Sequence, residues 1–165
     1  YLIDLGHRRV AYIHGPDEQR AAHDRFLGYT SALFEAGIDV DEQMIEYGDD
    51  HYQAGYQAAL NLMDLSPAPT AIFCNNDEMA AGVSSAIFNS GLKVPNDISV
   101  AGFDDIPLSS QLHPALTTVH QPIYEIAQKA TTLLMKMLKS EELEQFGFEF
   151  ATEIVIRQST ARFRS

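Results

Sequence analysis

Cysteine is nearly absent from this 165-residue chain, with Cys74 standing alone. One cysteine excludes an internal disulfide framework and a cysteine-based zinc site. Tryptophan is missing altogether. Long hydrophobic runs are missing too: stretches such as Thr70–Cys74 fall far short of the roughly 20 apolar residues that span a bilayer. No basic segment followed by an apolar one suggests a secretory signal. Positive charge is scarce, with 11 Lys and Arg against 23 Asp and Glu and a formal net charge of −12. Phosphate contact needs clustered Lys and Arg, so direct nucleic-acid binding by this chain is not expected. The imbalance is local: residues 26–105 hold 13 acidic residues and one basic residue, Lys93, whereas residues 106–165 carry six of each. With 45% apolar and 21% charged residues the composition excludes disorder, and the length suits one domain or two small lobes.

Short apolar runs alternate with helical periodicity. Tyr1–Leu5 reads as the last turns of a helix stopped by Gly6. Val10–His14 reads as a strand ending at Gly15-Pro16. Residues 22–36 read as a helix with Phe26, Tyr29, Leu33 and Phe34 on one face, ended by Gly37. Met44–Tyr47 is a candidate strand, and His51–Leu65 a helix with Tyr52, Tyr56, Ala59, Leu60 and Met63 as its stripe. Thr70–Cys74 and Ile98–Phe103 are continuous apolar strands of the kind buried on both faces of a parallel sheet. Asn76–Phe88 is helical between them, with Met79, Val83 and Ile87 as its inward face. This rhythm predicts an α/β fold with an open parallel sheet flanked by helices. After Asp105 it changes: a turn-rich stretch to Pro114, an extended Leu116–Val119, a strongly amphipathic helix over Ile123–Lys139, an acidic connection at residues 141–147, and a final strand over Phe148–Arg157.

Ligands of parallel α/β sheets bind at the carboxyl ends of the strands. Here those ends carry Gly15-Pro16, Gly48-Asp49-Asp50, Asn75-Asn76-Asp77 and Asp104-Asp105, with Arg25 one turn into the helix that starts at the same edge. Carboxylates, amides and a forked guanidinium suit a neutral polyhydroxylated ligand, a sugar or a nucleoside. The competing reading is helix capping, the more natural one for Asp77 alone, and for Arg25 a surface ion pair. Four such loops together favour a ligand site. Enzyme signatures are missing: no phosphate-binding G-x-x-x-x-G-K-[ST], no G-x-G-x-x-G, no G-x-S-x-G and no H-E-x-x-H. Ser90-Gly-Leu-Lys93 matches S-x-x-K by letter only. The six histidines lack metal-ligand spacing, and Cys74 reads as a core residue. Neither catalysis nor a metal or cofactor is expected. A small α/β enzyme with an Asp dyad is the remote alternative.

Seven segments follow in order: Gly6-His-Arg-Arg-Val-Ala-Tyr-Ile13, Arg25-x-x-Gly28-Tyr29, Pro69-Thr-Ala-Ile-Phe73, Asn76-Asp77-x-Met79-Ala80-x-Gly82, Gly91-x-x-Val94-Pro95-x-Asp97-Ile-Ser99, Gly102-Phe-Asp104-Asp105 and Pro114-x-Leu116-Thr-Thr-Val-x-Gln121. Together the chain resembles the effector-binding core of the lactose-repressor (LacI/GalR) family of bacterial transcription regulators. The resemblance implies a periplasmic-binding-protein-like (type I) core, present here mainly as its C-terminal subdomain. Residues 1–119 would form that subdomain, residues 120–148 would cross to an N-terminal subdomain that is mostly absent, and residues 149–165 would return. It implies a cytoplasmic homodimer that reaches operator DNA only through a headpiece outside this chain, with no membrane partner. Arg25, Asn76 and Asp104 match the family's polar effector contacts, Phe73 a position able to stack on a ligand ring, and Gln121 a strand lining the cleft. Asp50 stands where relatives often carry a stacking aromatic, which favours a polar ligand over a flat purine. The dimer contact is expected on Ala80, Ala81, Ser84, Ser85 and Phe88 and on the Leu108–Leu112 segment. A periplasmic sugar-binding protein of a transporter is the rival. The apolar stripe of residues 123–139 is expected to need cover, from a second copy by preference, otherwise from its own subdomain, or else to be mobile.

Overall fold

All five residues of Val10–His14 (β1) are buried, and the strand sits inside a sheet rather than at its edge. The computed structural model describes residues 1–141 and 147–164. In it Ile45–Tyr47 (β2), β1, Ala71–Cys74 (β3) and Ser99–Ala101 (β4) form a four-stranded parallel sheet in the order β2-β1-β3-β4. The expected Met44 start of β2 is instead the end of a 3-10 turn, Glu42–Met44, capped by Asp41. Leu5 N–H bonds the Tyr1 carbonyl in a helical turn, and Gly6 leaves it at φ +97°, as its place in the sequence predicts.

The pleat sends alternate β1 side chains to opposite faces. Ala11 and Ile13 join the larger core under Tyr52–Met63 (α2) and Asp77–Asn89 (α3). Val10 and Tyr12 join a second cluster under Arg20–Glu35 (α1). The strands therefore need apolar residues at every position. On the α1 face a recess of about 420 Å³ remains, walled by Leu2, Ile3, Tyr29, Phe73 and Phe103.

The helices are where expected, but two of their faces are not. Phe34 is 83% exposed on α1, one step off the Tyr29/Leu33 line that meets the sheet. On α2 the buried line is Gly55, Ala58, Ala59 and Leu62, while Tyr52 faces outward. The reason is the closeness of α2 to α3. A Cβ at Gly55 would strike the Met79 carbonyl oxygen and lie 2.7 Å from the Met79 Cα, and one at Gly82 would lie 2.8 Å from the Tyr56 nitrogen. Backbones this close admit only the smallest residues at the crossing, so the large side chains turn to its flanks.

Met79, Val83 and Ile87 are fully buried, as expected of the inward face of α3. Ala80 and Ala81 are buried too, so they are filled by the protomer's own core and offer no surface for a second chain. Ser84 and Ser85 are half-buried, Leu112 packs against the core, and Phe88 stands 78% exposed.

Within the turn-rich stretch Pro107–Gln111 (α4) forms a short helix. Beyond it Thr118–His120 (β5) pairs antiparallel with Glu153–Val155 (β6), a much shorter strand than residues 148–157 suggest. β5 touches the main sheet through parallel bridges, Ala101 to Thr117 and Asp104 to His120. Ile123–Leu138 (α5) forms, but it stands clear of its own sheet: none of its residues is buried, and Ile123, Leu134, Met137 and Leu138 are each more than half exposed. The stripe's expected cover is not supplied by its own subdomain. The acidic connection falls almost wholly at residues 142–146, outside the described residues.

Candidate functional site

β1, β3 and β4 are parallel, so their carboxyl ends open at one edge, and the polar residues that follow them meet there. At the centre is Asp104. Its Oδ1 accepts from Arg25 Nη2 at 3.2 Å and from Gln121 Nε2 at 2.6 Å. Among the described residues Oδ2 receives no hydrogen bond, which leaves an acceptor for an incoming hydroxyl. Arg25 also donates from Nη1 to the Asn75 carbonyl at 2.6 Å, and its guanidinium lies 4.0 Å over the Phe103 ring. The pair is not a loose surface contact: the two side chains are 15% and 23% exposed. Burial pushes the Asp104 carboxyl up, and Asp50 pushes the same way, against the pull of Arg25 and Gln121.

Asn75 is the hub of the other half. Its Nδ2 donates to Asp50 Oδ1 at 2.8 Å, and its Oδ1 accepts from the Tyr12 hydroxyl at 3.3 Å. Asn76 Nδ2 donates to the Asp50 carbonyl at 2.8 Å, while its Oδ1 accepts from Met79 N–H at 2.9 Å and so caps α3. Asp50 and Asp104 sit at φ 69° and 113°, conformations uncommon for side-chain-bearing residues, and these bonds hold them there.

Five of the six residues expected to contact a ligand thus gather at one edge: Arg25, Asp50, Asn76, Asp104 and Gln121. Phe73, one residue before the end of β3, lies on the sheet face beneath α1, edge-on to Tyr12 at 5.3 Å, and lines the recess that Arg25 also lines. The cap of α3 is Asn76 rather than Asp77. Asp77 is fully buried and accepts from Thr118 Oγ1 and, at 2.9 Å, from Ile106 N–H. Burial raises its carboxyl to about 6.

Asp105, at φ 58°, is a second anchoring point. It accepts from Arg157 Nη2 at 2.6 Å, His120 Nδ1 at 3.0 Å and Ser109 Oγ at 3.0 Å. Burial alone would raise its carboxyl, but these bonds outweigh it and hold it below the usual value. Asp104 and Asp105 therefore bind both residues that lead into α5, Gln121 and His120, and Arg157 beyond β6. Sequence reasoning missed Asn75 as hub and Arg157 as anchor. The strand-end position marked Asn75; nothing local marks Arg157.

No group of three or more His, Cys, Asp or Glu among the described residues could hold a metal ion. No described helix is long and apolar enough to cross a membrane. Cys74 is buried, and burial pushes its thiol up.

A family model described as "Periplasmic binding protein-like domain" matches residues 1–160. The HTH-type transcriptional repressor CytR of Escherichia coli (strain K12) is 42% identical over 160 residues, covering 97% of this chain and 47% of that protein. A putative transcriptional regulator LacI from Bacillus cereus subsp. cytotoxis NVH 391-98 superposes with a TM-score of 0.95 at 32% identity, over 99% of this chain and 58% of that one. A transcriptional regulator CelR–cellobiose complex does so with a TM-score of 0.91 at 34% identity, over 96% of this chain and 48% of that one. The chain spans about half the length of the curated relatives it matches. Its parallel sheet, its strand-end polar cluster and the family match agree: the chain belongs to the periplasmic binding protein-like family, and the relatives it resembles are transcription regulators.

Proposed function

We propose that this chain senses a small polar effector for a bacterial DNA-binding repressor. The ligand is a sugar or a nucleoside, and a sugar fits better. Arg25, Asp104 and Gln121 contact it directly, with Asn76 and Asp50 shaping the wall beside them. The half-buried Arg25–Asp104 pair carries this reading, because among the described residues nothing bonds Asp104 Oδ2 at the sheet edge where parallel α/β sheets bind ligands. The similar regulator CelR, solved as a cellobiose complex, supports the sugar class.

In this reading residues 1–119 are one subdomain, residues 120–148 cross to a second one, and residues 149–165 return. The effector bridges the two subdomains, and its unequal affinity for open and closed arrangements biases how headpieces outside this chain meet operator DNA. The protein works as a cytoplasmic homodimer with Phe88, Ser84, Ser85 and Leu112 near the contact. It takes part in no catalysis.

The test is calorimetry on the full-length regulator with the sugar or nucleoside that gives the largest thermal shift. Loss of a charged hydrogen bond costs about 1.5–3 kcal/mol, so Asp104→Ala lowers affinity roughly tenfold to hundredfold. Unchanged affinity removes Asp104 from the site and the reading with it.

A further inference from the structure

α1 joins β1 to β2, so it starts at the ligand edge and ends at the opposite end of the sheet, where the strands begin. Two surfaces of opposite charge lie at that far end. One is made by the chain after β6. Phe163 N–H donates to the Leu5 carbonyl at 2.9 Å, Ala161 N–H donates to Ser99 Oγ at 3.1 Å, and the Ala161 carbonyl lies 3.0 Å from His7 Nε2. The backbone is thus pinned, and Arg162 and Arg164 stand out from it, exposed, as walls of a recess of about 430 Å³ that His7 and Asn96 also line. Asp97, in the same wall, accepts from Lys93 N–H at 2.8 Å and pairs with neither arginine. The other surface is the end of α1 and the loop after it. Phe34 and Val40 are exposed there and line a shallow depression of about 480 Å³ with Glu35, while Asp39 and Glu42 stand exposed close by in the chain. Carboxylates outnumber bases 23 to 11, and Arg9, Arg20, Arg25 and Arg157 each have one as partner. Among the described residues Arg162, Arg164, Glu35, Asp39 and Glu42 form no ion pair, so the fold holds these opposite charges apart.

We infer that the end of the sheet remote from the ligand edge is a contact between two copies of this chain, in which Arg162, Phe163 and Arg164 of one copy meet Phe34, Glu35 and Asp39 of the other. Each surface has an apolar centre and a charged rim, the anatomy of a protein–protein contact, and the two rims are of opposite sign. Because both surfaces lie on one molecule, a two-fold axis brings the basic surface of each copy against the acidic surface of its mate, and the pairing closes on itself. Arg162 and Arg164 lie outside residues 1–160, the segment that the family model matches. The contact is separate from the one proposed near Phe88, since α1 packs on one face of the sheet and α3 on the other. It does not depend on the effector reading. Exposed ion pairs contribute little each, so the association is weak, concentration-dependent and sensitive to salt.

Sedimentation velocity of the full-length protein over a concentration series, at ionic strengths of about 0.1 M and about 1 M, tests this. At the lower ionic strength the wild type should form a species of twice its lowest mass, and the higher should weaken that association at least about tenfold. Arg162→Glu/Arg164→Glu and Glu35→Arg/Asp39→Arg should each stay at the lowest mass with unchanged circular dichroism, since all four side chains are exposed. Mixed one to one, the two variants should associate again, because each then carries the charge that the other lacks. A wild type that keeps its lowest mass throughout overturns the inference, and is the result expected if the basic recess served a foreign acidic protein instead. A larger species that is indifferent to salt, or that either variant retains, overturns it as well. So do two folded variants that stay apart on mixing. The salt comparison on the wild type needs no substitution and decides the matter even where a variant fails to fold.

Discussion

Asp77 is a carboxyl group taken wholly out of water, and the stability of the fold should register it. It is 0% exposed, with Thr118 Oγ1 on one oxygen and Ile106 N–H on the other. Those two bonds favour the charged form, but burial opposes it more strongly and Asp104 and Asp105 repel it, so the folded-state value rises from 3.8 to about 6. In the unfolded chain the group returns to the ordinary range. Between about 4 and 6 the folded state therefore binds the proton more tightly than the unfolded one. Stability from this group is fully present below that window and is lost as pH rises through it. The span of about two pH units corresponds to at most about 3 kcal/mol. Asp77→Asn removes the titration; its amide oxygen can still accept from Ile106 N–H while its Nδ2 donates to the Thr118 hydroxyl, so the remaining cost does not vary with pH. Urea unfolding followed by circular dichroism at several pH values from 4 to 8 should show the wild type's advantage over Asp77→Asn shrinking by up to that amount from pH 4 to pH 7. Parallel curves for the two proteins, or an advantage that grows with pH, would refute the assignment of a raised carboxyl at Asp77.

Gly82→Ala should cost about 1–3 kcal/mol, measured by the same unfolding, since its Cβ would strike the Tyr52 carbonyl and lie 2.8 Å from the Tyr56 nitrogen; a variant as stable as wild type would mean that α2 and α3 can separate freely. At the proposed dimer contact, Phe88→Asp should lower the mass seen by light scattering without lowering thermal stability, because Phe88 is 78% exposed. Ala81→Arg should instead unfold the protomer, because Ala81 is 2% exposed inside the core; a stable, folded Ala81→Arg monomer would reverse the assignment of these two residues.

What could be read without coordinates was whatever is encoded over a few neighbouring residues. The runs Val10–His14 and Thr70–Cys74 announce buried parallel strands, Gly6, Gly37 and Gly91 announce positive-φ stops, and the residues after each strand announce the ligand edge. Parallel strands place all their carboxyl ends together, so Arg25, Asp50, Asn76 and Asp104 could be gathered from order alone. Phase was not encoded in this way. A strand apolar at every position does not tell which face Phe73 takes, and the wide stripes of α1 and α2 do not tell that Phe34 turns outward or that Gly55 and Ala58 turn in. Those outcomes follow from how closely one helix can approach another, a property of elements far apart in sequence. The same holds for the polar network: Arg157 reaches Asp105 across 52 residues, and Asp77 meets Thr118 across 41. Local pattern determines which residues form elements and where those elements end; only tertiary packing determines which side chains leave water together, and with them which carboxylates are paired, raised or left open to a ligand.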